Sequence, residues 1–172
     1  SVIQIDSGEL ATVQYTLGIA HPTGYPLFTI LGYLFLQIPI GLRKISQANL
    51  LAAIWCSLSI LFLIKSIYLL LSNKIELNKK NIKKKKNIIE EINYSEDQKV
   101  ISVIAGSFFL AFSKTFWLQS TSVEVYSLQT FLFTIIIYFI LKAFYSNDSK
   151  EWIYVGISFA FGFANHMTTL LI

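Results

Sequence analysis

The sequence predicts an all-α fold, a polytopic membrane helix bundle, on three observations. Long apolar runs recur along the chain. Only 14% of its 172 residues are charged, against 54% hydrophobic, where a soluble domain carries roughly 25% charge. The positive charge is also gathered in one place: seven lysines fall between Lys74 and Lys86, and the remainder is net acidic.

Residues 1–45 mix polar and apolar positions. The stretch 27–40 makes only about 21 Å of helix at 1.5 Å per residue, too short for a hydrocarbon core of about 30 Å. Pro39, Gly41, Arg43 and Lys44 break its end. This segment is expected to form one or two helices lying in the interface, before the first complete span at 47–71. That run makes about 37 Å of helix, and Lys65 near its end can snorkel to the headgroups. Residues 72–99 form a polar, lysine-rich linker. Further spans are expected at 100–118, 127–145 and 152–172, with Trp and Tyr near their ends as an interfacial belt. Ser1 in place of Met, and a last apolar run without a polar flank, suggest an N-terminal fragment of one transmembrane domain.

Orientation comes from the lysines. Cytoplasmic loops carry excess Lys and Arg, so 72–99 is expected on the cytoplasmic side. The span 47–71 then runs inward, 100–118 outward, 127–145 inward and 152–172 outward. Asp6, Glu9, His21, Glu124 and His166 collect at the outer face. Ionisable groups gathered at one membrane face are a site hypothesis.

Each motif also has a purely structural reading. Asp6-Ser7-Gly8-Glu9 has capping-box spacing, with a helix to Leu17 and Gly18 as its C′ residue. The same carboxylates suit a general base or a metal ligand. His21-Pro22-Thr23-Gly24-Tyr25-Pro26 is a rigid turn, yet His21 is a base or donor and Tyr25 can stack on a sugar or donate a hydrogen bond. Thr121 and Glu124 repeat the capping-box spacing; Glu124 at the mouth of a bundle equally suits an acceptor or a cation. His166, read as lying within the last apolar run, needs either an interhelical hydrogen bond or an anionic headgroup. Lys114 reads as a snorkelling residue or a phosphate ligand. Cys56, the sole cysteine, excludes an internal disulfide and reads as an inert thiol. No P-loop, GxGxxG, HExxH, CxxC or GxSxG is present. The lysine run reads as a solvated loop, so no nucleic-acid partner is expected.

Asp6-Ser7-Gly8-Glu9, then Leu17-Gly18-Ile19-Ala20-His21-Pro22-Thr23-Gly24-Tyr25-Pro26-Leu27, resembles the opening of the transmembrane protein 260 family. Asn49-Leu50, Glu124-Val125-Tyr126-Ser127-Leu128 and Asn165-His166 occur in the family's order. The linker 72–99 departs from the pattern, as an insertion away from the site. The resemblance implies a partial GT-C type fold and a protein O-mannosyltransferase-like glycosyltransferase. It would move a hexose from a polyprenyl-phosphate donor to a protein Ser/Thr hydroxyl on the outer or lumenal face. It implies Asp6 as catalytic acid/base, with Glu9 beside it. His21, Tyr25, Glu124 and His166 are expected to bind substrate. The expected partners are the lipid-linked sugar, an acceptor protein and membrane lipid. No resident cofactor is expected, and metal dependence is left open. The expected location is integral and multi-pass, in a bacterial inner membrane or its equivalent. The rivals are a transporter or flippase of a lipid-linked substrate, and a structural subunit with no site.

Overall fold

The computed structural model describes residues 6–22, 24–72, 94–146 and 148–172, and all secondary structure among them is helical. The lysines from Lys74 to Lys86 lie outside the described residues. Among the described residues seven α-helices come in order: α1 Ser7–Thr16, α2 Pro26–Leu36, α3 Lys44–Ser72, α4 Glu96–Ala111, α5 Lys114–Thr121, α6 Val125–Tyr145 and α7 Glu151–Asn165. A 3-10 turn, Met167–Leu171, closes the chain.

Among the described residues two helices are long and apolar enough to cross a membrane, α3 with 29 residues and α6 with 21. They correspond to the runs 47–71 and 127–145. The stretch 100–118 is not one straight rod. It is shared between α4 and α5, which meet at a 65° bend. Ser113 stands at that bend in an extended conformation, so the helix restarts there. The stretch 152–172 divides as well. Its α-helix has 15 residues, about 22 Å, and breaks where His166 turns extended. Helix α2, with 11 residues, is shorter than a bilayer core.

Aromatic pairs give the helix directions. Trp55 stacks on Phe131, and Phe62 meets both Phe131 and Tyr138 edge-on, so α3 and α6 run side by side in the same direction. Tyr68 near the end of α3 donates to Glu96 at the start of α4, and the chain returns through α4 and α5. Helices α6 and α7 form an antiparallel hairpin. Phe139 stacks on Tyr154 and Lys142 pairs with Glu151 near its turn. Gln129 meets Asn165 near its open end. The starts of α3 and α6 and the end of α7 therefore share one end of the bundle. The end of α3, the start of α4 and the turn after Tyr145 share the other.

Helices α1 and α2 cap the first end. Leu10, Val13, Tyr25, Phe28, Leu36, Ala48, Val123, Val125 and Leu128 form the core beneath them. Pro26 opens α2 at the position where a missing N–H costs nothing. At the far end of α2, Gln47 donates to the carbonyls of Phe35 and Ile38, at 2.7 and 2.9 Å, and Lys44 to that of Leu36. These bonds satisfy carbonyls that a helix end leaves unpaired. Gly32 is a packing requirement, because a Cβ there would lie 2.2 Å from the Gln14 side chain.

Candidate functional site

Neither capping box expected at the site forms. Asp6 has helical backbone angles, φ −89° and ψ −10°, and its side chain caps nothing; a capping residue needs extended backbone. Asp6 stays exposed, and its carbonyl accepts the Leu10 N–H at 2.9 Å. Glu9 reaches away from its own helix. Its Oε1 accepts the His21 backbone N–H at 2.8 Å, and the His21 Nδ1 lies 3.2 Å from both carboxylate oxygens. These bonds hold the Glu9 carboxyl below the usual range. Leu17, not Gly18, takes the left-handed position after α1, at φ 54°. Such a conformation is uncommon for a residue with a Cβ.

Glu124 is the N-cap of α6 and has extended backbone, yet its side chain makes no capping bond. Thr121, expected to cap, instead ends α5 and bonds back to the Trp117 carbonyl. Glu124 is 4% exposed, and its Oε1 accepts from the Ser7 hydroxyl at 3.0 Å. Burial pushes its carboxyl above the usual range. The Ser7 bond opposes that rise, Asp6 adds to it and His21 opposes it. Asp6 and His21 are thus both within electrostatic reach of Glu124.

Tyr25 links the two histidines. With the His21 Nδ1–H turned to Glu9, Nε2 is left to accept from the Tyr25 hydroxyl, 3.3 Å away. On its other side, the Tyr25 ring lies nearly parallel to that of His166, with centroids 5.5 Å apart. Tyr126 flanks His166 at 5.7 Å. Burial raises the Tyr25 phenol above its ordinary value, with Tyr126, Asp6, Glu9 and Glu124 adding to the effect. His166 lies at the break after α7, not inside a helix. Its Nδ1 accepts the Thr168 N–H at 3.0 Å, leaving Nε2 to carry the hydrogen of the neutral ring. Gly162 makes the fold-back possible, since a Cβ there would lie 2.8 Å from Thr169.

Asp6, Glu9, His21, Tyr25, Glu124 and His166 are therefore brought to one end of the bundle, on four segments: the start of α1, the turn before α2, the start of α6 and the break after α7. Lys114 is exposed at the first position of α5. Sequence reasoning missed Ser7, which read as part of a cap. It also missed the buried network behind His166, where Asn165 donates to Gln129 at 2.7 Å and Gln129 to Thr169 at 2.9 Å. The signal available for that network was the amide Gln129 within the apolar run 127–145. An apolar pocket of about 340 Å³ adjoins Tyr25, lined by Leu17, Ile19, Ala20, Pro26 and Ile30 among others. Among the described residues, no group of three or more His, Cys, Asp or Glu could hold a metal ion.

The family model described as the protein O-mannosyl-transferase TMEM260 N-terminal domain matches residues 6–172. The protein O-mannosyl-transferase tmem260 of Dictyostelium discoideum is 37% identical over 70 residues, 40% of this chain and 8% of that protein. The protein O-mannosyl-transferase TMEM260 of Mus musculus is 39% identical over 64 residues, 37% of this chain and 9% of that protein. The matched stretch covers less than a tenth of either relative. No solved structure matches.

Proposed function

The chain belongs to the TMEM260 N-terminal domain family, and from that membership we propose that it carries the catalytic end of a GT-C type membrane glycosyltransferase. The reaction is inverting transfer of mannose or another hexose from a polyprenyl phosphate to a protein Ser or Thr hydroxyl. The acceptor oxygen forms a bond to C1 of the sugar. The bond from C1 to the phosphate oxygen breaks, its electron pair leaves with the polyprenyl phosphate, and Asp6 takes the hydroxyl proton.

The observation that carries this reading is the setting of Asp6. It is an exposed carboxylate, free of capping duty, at the edge of a cluster whose other members are engaged with one another. A general base must reach its proton, and Asp6 is the carboxylate of the cluster with that freedom. Glu9 serves better by holding His21, whose bonds it accepts. His166, whose Nε2 carries the ring hydrogen, supplies a donor for the departing phosphate, with His21 and Tyr25 bonded to each other beside it; preorganised donors aimed at developing charge lower such barriers. The reading uses no resident cofactor. It places the chain as a multi-pass protein, with the site opposite the end where α3 closes and α4 begins.

The test is sugar transfer from a polyprenyl-phosphate donor in membranes holding the full-length protein. Asp6→Asn is expected to lower transfer by about 10²–10⁴-fold, and full activity in that variant removes Asp6 from the mechanism. A transporter or flippase is the second reading, favoured by the bend between α4 and α5, since broken helices mark many transport sites. Lipid-linked sugar crossing reconstituted vesicles without transfer would select it.

A further inference from the structure

We infer that Glu124 is a positioning residue, which with Ser7 locks the first turn of α1 and so holds Asp6 at the mouth of the site. The inference rests on Asp6 being the base.

Helix α1 begins immediately after Asp6, and Ser7 is its first residue. Ser7 is fully buried, and its hydroxyl donates across the bundle to Glu124, 117 residues away. Glu124 stands where α6 begins, in extended backbone, with its side chain making no bond to its own helix. It sits at the junction between α1 and the α3–α6 pair. Its surroundings leave little room for a ligand. Ala48, Leu51, Ala52 and Trp55 of α3 line one side, with Gln14, Phe28 and Ser127 around them, and the space between has no room for a water molecule. A carboxyl so enclosed does not reach an acceptor protein. It reaches Ser7, and through the backbone of Ser7 it fixes the residue before it. Displacing a catalytic group by about 1 Å can cost roughly 100-fold in rate, so one buried hydrogen bond here has leverage on Asp6.

Two measurements on the full-length protein in lipid nanodiscs test this. Hydrogen exchange over residues 7–12 reads the anchor without any substrate. Ser7→Ala and Glu124→Ala are each expected to speed exchange there about tenfold, as loss of a buried hydrogen bond permits local opening. The double variant is expected to go no further. Glu124→Gln, whose carbonyl still accepts from Ser7, is expected to exchange like the parent. Transfer kinetics read the consequence. Glu124→Ala and Ser7→Ala should lower kcat by about 100-fold at nearly unchanged KM, and Glu124→Gln should recover most of it. Unchanged exchange in Ser7→Ala, or effects of Ser7→Ala and Glu124→Ala that add, would overturn the anchor. So would a rise in KM at constant kcat, which marks direct substrate contact, or a Glu124→Gln variant as poor as Glu124→Ala. Ser7→Ala removes one oxygen atom and keeps the test open should Glu124→Ala not accumulate. Full transfer by Asp6→Asn defeats the assignment of the base instead, and leaves the exchange result to judge the anchor.

Discussion

The two ends of the bundle both carry charged and polar groups, but they use them differently. At the end formed by the last turn of α3, the start of α4 and the α6–α7 turn, the ion pairs among the described residues are near in sequence and each keeps one partner open to solvent. Lys99 meets Glu96 and Lys142 meets Glu151, with Tyr68 also donating to Glu96. At the other end the partners are distant or enclosed: Ser7 with Glu124, Tyr25 with His166, Asn165 with Gln129. Exposed ion pairs contribute about 0–1 kcal/mol, whereas leaving a buried group unsatisfied costs about 1–3 kcal/mol. The first end tolerates change, and the second is built so that each group depends on another. The candidate site is the cluster where that dependence is greatest, with Asp6 as its exposed member.

Substitutions sharpen or break that contrast. The largest effect is expected from Asp6→Asn: loss of transfer by about 10²–10⁴-fold, with thermal stability in detergent unchanged because the side chain is exposed. A matching loss of stability would make Asp6 structural. Next comes Gly32→Ala, which forces a Cβ into the Gln14 side chain. Overpacking of this kind costs about 1–3 kcal/mol, read as a lowered unfolding midpoint. Tyr25→Phe keeps the stack on His166 and loses the hydroxyl contact with His21, so transfer should fall by less than about tenfold, the worth of one neutral hydrogen bond. Tyr25→Ala should fall further. The smallest effect is expected from Lys142→Ala, under about 1 kcal/mol in the same unfolding measurement. A larger loss there would erase the difference between the ends.

Acid provides another probe of the dependent end. The Glu9 carboxyl is held below the usual range by the His21 bonds. Its contribution is therefore present above the ordinary carboxylate pKa and lost as pH falls through the lowered value. Protection of the His21 amide, its exchange measured against the intrinsic rate at each pH, should fall on acidification through that range and stay flat at neutral pH. Glu9→Gln should remove most of the pH dependence.

The fold was legible where composition decides it. The apolar runs 47–71 and 127–145 are long enough to make helices wherever they fall, and they became α3 and α6. The breaks were not legible. Phe112 and Ser113 include neither Pro nor Gly, and the residues around His166 read as one apolar stretch, because the fold-back depends on a distant space that Gly162 leaves for Thr169. The capping boxes failed for a related reason. Their spacing is local, but Glu9 and Glu124 found partners 12 and 117 residues away, and these longer-range bonds replace the local caps. That the polar residues of the candidate site would gather at one end was readable, since polar groups in an apolar chain stand out. Ser7 was hidden because serine at a helix start is ordinary.

The parallel run of α3 and α6 reduces the question of sidedness to a single binary choice. On the proposed multi-pass reading, the end of α3, the start of α4 and the turn between α6 and α7 face one compartment together, and the cluster around Asp6 faces the other. A single reporter in that short turn, such as a glycosylation acceptor or a thiol for an impermeant reagent, would locate every other described part of the chain at once.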